Sequence, residues 1–336
     1  MAVRMKDIAE DLKVSVVTVS KVLRNQGDIS DETRRRVLKR AKELNYQPNW
    51  IARGLVTRKT FLIGLVLPDL MHSFFAEIAK GVSRKMRAGG YNTVIAYSEE
   101  DPQVEEQEIE GLLARRVDGL IIASAQAPKQ TQIFQRIEDE KVPYVLIDRQ
   151  VAGVEANFVG VSDEQIGRLA TEHLLSQGCK RLAHIRGPEN TTGIGRCNGF
   201  LDACSAHGID TPSGWIVPGL FNDEGGLEAM RKLLALQPLP DGVVCYNDPV
   251  AAGALKAILE AGLRAPEDIA VIGAGNVHYS DLLRVPLSTV DQNSTAIGGN
   301  AADLLLELLG STIPVKPRII LIEPELRERE SSARRH

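Results

Sequence analysis

Apolar residues along this chain follow two different periods. Over residues 5–44 they recur at helical spacing. Met5–Leu12 (MKDIAEDL) places Ile8, Ala9 and Leu12 on one face, and Val16–Leu23 (VVTVSKVL) repeats the pattern with Val16, Val19, Val22 and Leu23. Lys13-Val14-Ser15 joins the two. Ser15 is placed to cap the second helix, because its hydroxyl can accept from an otherwise unpaired first-turn amide. Two helices this short bury little alone, so Asp31–Leu44, with Val37, Leu38, Ala41 and Leu44, is expected to close the unit as a third helix. A three-helix unit with a solvated second helix is the arrangement that enters the DNA major groove.

From Phe61 the pattern changes. Phe61–Leu67 (FLIGLVL) is a continuous apolar run, as a parallel strand buried on both faces requires. Strand-type runs at Thr93–Tyr97, Gly119–Ala123 and Tyr144–Ile147 alternate with helical Phe75–Ala88, Val104–Arg115 and Gln132–Glu140. A second series has helices at Ile166–Gln177, around Gly199–His207, at Leu227–Leu236 and at Val250–Ala261. Its strands are Leu182–Ile185, Trp215–Val217, Gly242–Tyr246 and Ile269–Ile272. Two βαβ series of similar size predict two doubly wound α/β lobes built on parallel sheets. Right-handed crossovers put the ligand edge of each sheet at the carboxyl ends of its strands, and two such edges facing each other make a cleft.

Charge sharpens the division. Residues 1–60 hold 14 Lys/Arg against 7 Asp/Glu, whereas the whole 336-residue chain carries a net −4. A basic head on an acidic body is the asymmetry of a nucleic-acid binder, although Arg34-Arg35-Arg36, Lys39 and Arg40 also fit an ordinary solvated helix face. No run of about 18 apolar residues predicts a membrane span. No secretory leader is legible, which points to a cytoplasmic protein. Cys179, Cys197, Cys204 and Cys245 form no CxxC pair and the histidines are scattered, so no metal site is expected and the thiols read as free. Gly193–Gly199 (GIGRCNG) looks like a phosphate loop, but the third glycine of G-x-G-x-x-G falls on Asn198. With no G-x-x-x-x-G-K-[ST], G-x-S-x-G or H-E-x-x-H either, neither catalysis nor a cofactor is expected.

The helix pair, the third helix opening at Ser30–Arg34, the segment Asn45–Asn49 (NYQPN) and the Ala52–Leu55 (ARGL) stretch together resemble the DNA-binding headpiece of the LacI/GalR (lactose-repressor) family. The likeness continues in register along nearly the whole chain. It implies a helix-turn-helix domain at 1–48, a hinge helix and linker at 49–60, and a two-lobed periplasmic-binding-protein-like core at 61–336. Crossings between lobes are then expected near 160–163, 288–293 and 316–322. The first lobe would comprise about 61–161 and 292–318, and the second about 162–291 and 319–330. The resemblance further implies a homodimer that binds a near-palindromic operator in double-stranded DNA as a repressor, controlled by a small-molecule effector, a sugar or related metabolite. A solute-binding protein with no regulatory role is the alternative reading of the same core. Leu326–His336 is polar and lacks heptads, so no coiled-coil tetramerisation tail is expected.

The resemblance also assigns residues. Val16 and Val17 match base-reading positions at the start of the second helix. Valine discriminates only by apolar contact, best with a thymine methyl, and adjacent helical positions about 100° apart cannot both face one core. Lys21, one turn on, suits guanine or phosphate. Ser15, Thr18, Ser20, Asn25, Ser30 and Thr33 suit phosphate oxygens. In the hinge, Asn49 caps, Ala52 allows close approach of two helices, Arg53 belongs to the A-R-x-L match, and Leu55 matches the leucine that wedges into the minor groove. A helix that short, carrying Gly54, needs a partner chain and DNA to fold.

In the cleft, Asp148 follows the strand YVLI, and Arg196 matches the family's effector-binding arginine. Asn247 and Asp248 match its N-D pair. Phe74, Phe75 and Phe221 match aromatics that line the cleft or stack on the ligand. A carboxylate, a guanidinium and an aromatic face suit a sugar or a flat polar ring. Structural alternatives stay open: an Asp148–Arg149 ion pair, Phe75 in the core, Asp248 as a helix cap. One departure matters. Where the family commonly has G-[FY]-D-D, this chain has Gly273-Ala274-Gly275-Asn276. Gly275 replaces the first Asp, leaving Asn276 and His278 as substitutes, so the effector is unusual or the site vestigial.

Overall fold

Local capping defines the head. Its helices are α1 (Met5–Leu12), α2 (Val16–Leu23) and α3 (Asp31–Glu43). The Arg4 amide donates to Asp7 (2.7 Å), the Thr18 amide to the Ser15 hydroxyl (3.0 Å) and the Thr33 amide to the Ser30 hydroxyl (3.4 Å), so each helix start is satisfied. After α1 the chain turns at Lys13, left-handed at φ +55°. Ile8, Ala9, Val19, Val22, Val37 and Ala41 form the buried core. Leu38 does not join it: one position round the helix from Val37, it is 48% exposed. Part of the basic face of α3 holds the head together, since Arg40 pairs with Asp11 (2.6 Å) and Arg36 donates to the Leu12 carbonyl (3.3 Å). The computed structural model describes residues 3–23, 27–46, 59–71, 73–126, 130–311, 313 and 315–334. Head (Met1–Thr60) and body (Phe61–His336) are separate units.

The body opens with β1 (Leu62–Leu67), α4 (Ser73–Ala88), β2 (Asn92–Tyr97), α5 (Pro102–Ala114), β3 (Gly119–Ile122), α6 (Gln132–Asp139), β4 (Tyr144–Ile147) and β5 (Asn157–Gly160). Then come α7 (Asp163–Ser176), β6 (Leu182–Arg186), α8 (Thr191–Ala206), β7 (Ile216–Pro218), α9 (Asp223–Leu234), β8 (Gly242–Cys245), α10 (Asp248–Glu260), β9 (Ala270–Ala274) and β10 (Ser288–Asp291). The chain closes with α11 (Ser294–Gly310), β11 (Ile319–Leu321) and β12 (Glu325–Arg327). One sheet has the order β11-β5-β4-β3-β1-β2 and is parallel throughout. The other has the order β12-β10-β9-β8-β6-β7, with only β12 antiparallel. Strands β3, β4, β8 and β9 are buried along their whole length, which is why their apolar runs are unbroken. Helices α4 and α11 of the first lobe and α7 and α8 of the second contribute to one apolar cluster, through Ile78, Val82, Ile297, Ile166, Leu174 and Phe200. Helices α5 and α6 pack in a second cluster, α9 and α10 in a third.

The chain changes lobe at 161–162, 292–293 and 322–324. Two expected boundaries are corrected. Residues 319–321 belong to the first lobe, where β11 pairs with β5 (Ile319 beside Phe158), because the chain crosses only after Leu321. The second lobe also extends beyond 330: the Ser331 hydroxyl donates to the Val271 carbonyl (2.7 Å) and Arg334 to the Asp241 carbonyl (2.6 Å). A three-residue strand is too short to show alternation. Helix α11 also escaped the periodic reading, because it meets α4 by close backbone approach. A Cβ added at Gly298 would lie 2.3 Å from the Ile78 carbonyl oxygen.

His184, on β6, is fully buried and stacks on Phe200 with ring centroids 5.1 Å apart. Its Nδ1–H donates to the Val244 carbonyl (2.9 Å), and Nε2 has no partner among the described residues. Burial pushes its pKa down to about 4, against roughly 6.5 in an unfolded chain. The unfolded state therefore binds the extra proton between these values. The contribution of neutral His184 is complete above pH ~6.5 and is lost as pH falls towards 4. In urea unfolding, His184→Gln is expected to reduce the stability difference between pH 7.5 and 5 by about 2 kcal/mol. An unchanged difference would place the acid sensitivity elsewhere.

Candidate nucleic-acid interface and ligand cleft

The first turn of α2 presents Val16 and Val17 outward, 42% and 62% exposed. Neither belongs to the head's core. Beside them the Ser15 and Thr18 hydroxyls are 2.9 Å apart. Ser20 is half-buried on α2, and Ser30 and Thr33 form the capped start of α3, their hydroxyls 3.0 Å apart. The Lys21 ammonium is bonded to Asp28, which holds that carboxyl below its usual value. Asn25, Asn49, Ala52, Arg53 and Leu55 lie outside the described residues.

In the body, the carboxyl ends of both sheets face one cleft. The first lobe contributes Asp69 after β1, Phe74 and Phe75 on α4, Glu100 after β2, and Asp148-Arg149 after β4. The second contributes Arg196 on α8, Phe221, Tyr246-Asn247 after β8, and Ala274 at the end of β9, with Gln292 from the second crossing. The space between them is about 30 Å³, room for a water molecule or two.

Arg196 organises the second-lobe side. Helices α7 and α8 touch through glycines: a Cβ at Gly167 would lie 2.1 Å from the Arg196 carbonyl oxygen. That closeness lets Arg196 Nε donate to Asp163 at 2.9 Å, while Nη1 donates to the Tyr246 carbonyl (2.8 Å) and Nη2 to Gln292 Oε1 (3.1 Å). The guanidinium carbon sits 4.9 Å from the centre of the Tyr246 ring. Burial opposes the charge of Arg196, but Asp163 and its other neighbours hold it firmly protonated. Burial likewise pushes the Asp163 carboxyl up to about 6, against the pull of Arg196.

On the first-lobe side the strong ion pair is Arg149 with Glu100, bidentate at 2.6 and 2.7 Å, and not Arg149 with Asp148. Asp148 and Glu100 are both left-handed, φ +61° and +59°, a conformation costing non-glycine residues about 1 kcal/mol each. Asp148 lies 3.5 Å from Arg149 Nε, beyond a good hydrogen bond. Burial raises its pKa, with Arg149 and Arg196 pulling the other way. Phe74 and Phe75 line the cleft edge-to-face, centroids 5.2 Å apart, and are both nearly buried.

Two expected ligand contacts are not in the cleft. Asp248 is fully buried because its carboxylate braces the loop after β9, accepting from Thr289 (2.6 Å), Ser280 (2.7 Å) and the Val277 amide (3.0 Å). Asn276 is held away by Asp291 (3.0 Å) and Arg329 (2.7 Å). Asn247 does line the cleft, but its Oδ1 caps α10 through the Val250 amide (2.9 Å) and its Nδ2 donates to the Phe221 carbonyl (2.9 Å). Gly275 has φ +134°, a conformation side-chain-bearing residues rarely adopt, so the missing carboxylate accompanies a glycine-specific turn. Sequence reasoning missed Glu100, Asp163, Tyr246 and Gln292. Only Asp163 carried a local signal, as an acidic first-turn residue behind the Ser162 cap.

A helix-turn-helix head and a two-lobed body with a cleft together define a DNA-binding regulator. The chain belongs to the LacI family of bacterial regulatory proteins: residues 4–49 match the model of that family, and residues 171–332 match a periplasmic binding protein-like domain. It is 34% identical over 304 residues to the ribose operon repressor of Halalkalibacterium halodurans, covering 90% of this chain and 89% of that one. It is 33% identical over 328 residues to the HTH-type transcriptional repressor PurR of Mannheimia succiniciproducens, covering 97% and 98%. The crystal structure of the lac repressor dimer bound to operator and the anti-inducer ONPF matches with a TM-score of 0.85 at 28% identity, over 99% of both chains. A CelR–cellobiose complex matches with a TM-score of 0.74 at 28% identity, over 98% of this chain and 99% of that one. Among the described residues, no helix is long and apolar enough to cross a membrane.

Removing Arg196 leaves Asp163 buried and unpaired. Arg196→Ala is therefore expected to cost about 3–5 kcal/mol in urea unfolding, with part of the loss recovered by adding Asp163→Asn. A loss within about 1 kcal/mol would mean that the pair is not holding the lobe.

Proposed function

We propose that this LacI-family regulator acts in the cytoplasm as a homodimeric repressor of a near-palindromic operator, with operator affinity set by a small molecule in the interlobe cleft. It carries out no chemistry on that molecule. The observation that carries this reading is the exposed Val16–Val17 turn on a basic head, joined to a body whose two sheets close on a cleft. The relatives named as repressors and the lac repressor structure holding operator support it.

The head, residues 1–48, reads each half-site. Val16 and Val17 contact thymine methyls, Lys21 leaves Asp28 for a base or phosphate, and Ser15, Thr18, Ser20, Asn25, Ser30 and Thr33 position the helix on the backbone. Residues 49–60 form the hinge, where Asn49, Ala52 and Arg53 support a helix whose Leu55 wedges into the minor groove and kinks the duplex. The effector lies among Phe74, Phe75, Asp148, Arg196 and Phe221. It shifts the lobes between arrangements that bind it differently, and operator affinity follows that population.

Selection from a random duplex pool with full-length protein is expected to return a near-palindrome with a flexible central step; failure to enrich any site would count against a regulator acting alone. On the selected site, Leu55→Ala is expected to weaken binding about tenfold or more and to reduce bending. Full affinity with an unchanged kink would remove the wedge. Lys21→Ala is expected to relax preference at one base pair, by about 1–3 kcal/mol. A uniform loss across all sequences would reassign it to phosphate.

A further inference from the structure

The polar groups that face the cleft are nearly all engaged with one another. Glu100 holds Arg149 with both oxygens, and Arg196 is taken by Asp163, the Tyr246 carbonyl and Gln292. Both ends of the Asn247 amide are bonded within the second lobe. On that wall Ala274 offers no polar side chain, and Asn276 is turned to Asp291 and Arg329. A ring of hydroxyls would find few open partners here. Asp148 is the exception. It is 6% exposed and lines the cleft, and its carboxylate accepts no hydrogen bond from the described residues. Its one charged contact, Arg149 Nε at 3.5 Å, is itself without a hydrogen bond.

Charge points the same way. Glu100 is hydrogen-bonded to Arg149 and Asp163 to Arg196, which leaves Asp148 as the cleft carboxyl with no hydrogen-bonded cation, and Asp69 adds a further carboxylate on the first-lobe side. Burial disfavours the ionised form of this carboxyl, and a ligand bringing positive charge and N–H donors into the cleft offsets that cost. Phe74, Phe75 and Phe221 wall the same space, and aromatic ring faces attract cations. An anion would meet Asp148 with both cleft guanidinium groups already held by Glu100 and Asp163. Resting on the effector reading above, we infer that the cleft selects a small organic cation, an ammonium group on an apolar or aromatic body, over a polyol or an anion. The free space of about 30 Å³ means that such a ligand enters as the lobes part.

The test is calorimetric titration of full-length protein at pH 7 with benzylamine, benzyl alcohol and benzoate, and with ribose and cellobiose as polyols. Benzylamine, protonated at this pH, is expected to bind at least about tenfold tighter than benzyl alcohol, with no detectable binding of benzoate. Asp148→Asn is expected to bring the amine and the alcohol within about threefold of each other, with the melting transition retained. Should that variant fail to fold, Phe221→Ala, on the opposite wall, is expected to weaken the amine more than the alcohol. Equal binding of amine and alcohol, no binding of any probe, or amine binding untouched by these substitutions overturns the proposal. Binding of a polyol alone also overturns it, and if that polyol changes operator affinity the effector reading stands. Asp148-dependent amine binding with operator affinity unchanged supports the cation site and removes the effector reading instead.

Discussion

A guanidinium buried between two helices needs carboxylate and carbonyl partners at fixed positions, and for Arg196 these come from three separate segments. Asp163 opens α7, the Tyr246 carbonyl ends β8, and Gln292 lies in the chain's return to the first lobe. None of the three can move far without leaving charge or a polar group unsatisfied in a low-dielectric interior. The close approach of α7 and α8 at Gly167 is what brings the first of these contacts within reach. The aromatic walls of the cleft and the small space between them then follow from a framework the cation already fixes.

The same clasp reaches the second crossing between the lobes. Asp291 accepts from Asn276 (3.0 Å) and Arg327 (3.3 Å) in the second lobe, Gln292 bonds Arg196 in the cleft, and Asn293 caps α11 of the first lobe through the Ala296 amide (3.2 Å). Three consecutive residues thus answer to one lobe, the cleft and the other lobe. Arg196 is thus bonded directly to a segment that crosses between the lobes, with no long relay between.

How much of this was legible depended on whether the physics was local. Caps, helical faces and doubly buried strands declare themselves within a few residues, so α1, α2, α3 and most sheet strands were readable from periodicity, and the head's charge marked it as a separate unit. The cleft aromatics and Arg196 came from resemblance. Pairings across sequence were not readable: Glu100 meets Arg149 across 49 residues and Asp163 meets Arg196 across 33. Asp248 shows the reverse failure. It stands beside a cleft residue in sequence, yet its side chain points into the lobe and is saturated by Thr289, Ser280 and the Val277 amide. Helix α11 was missed because its contact with α4 runs partly through close backbone approach at glycines such as Gly298, which interrupts any stripe of large residues.

The order in which the sheets are completed has a consequence during synthesis. The first sheet gains its edge strand only at Ile319–Leu321, and the second is secured by the segment reaching Arg334. A chain emerging from the ribosome therefore cannot complete the first sheet before residue 321, or secure the second before residue 334, is made. Until then the faces that α11 will cover and the edges that β11 and β12 will occupy remain open to solvent and to other nascent chains. A message cut short before codon 319 would yield two unfinished lobes, where a protein of consecutive domains would yield one sound lobe and one missing. The two lobes are thus completed together and not one after the other, and quality control is presented with failures that expose apolar surface at once.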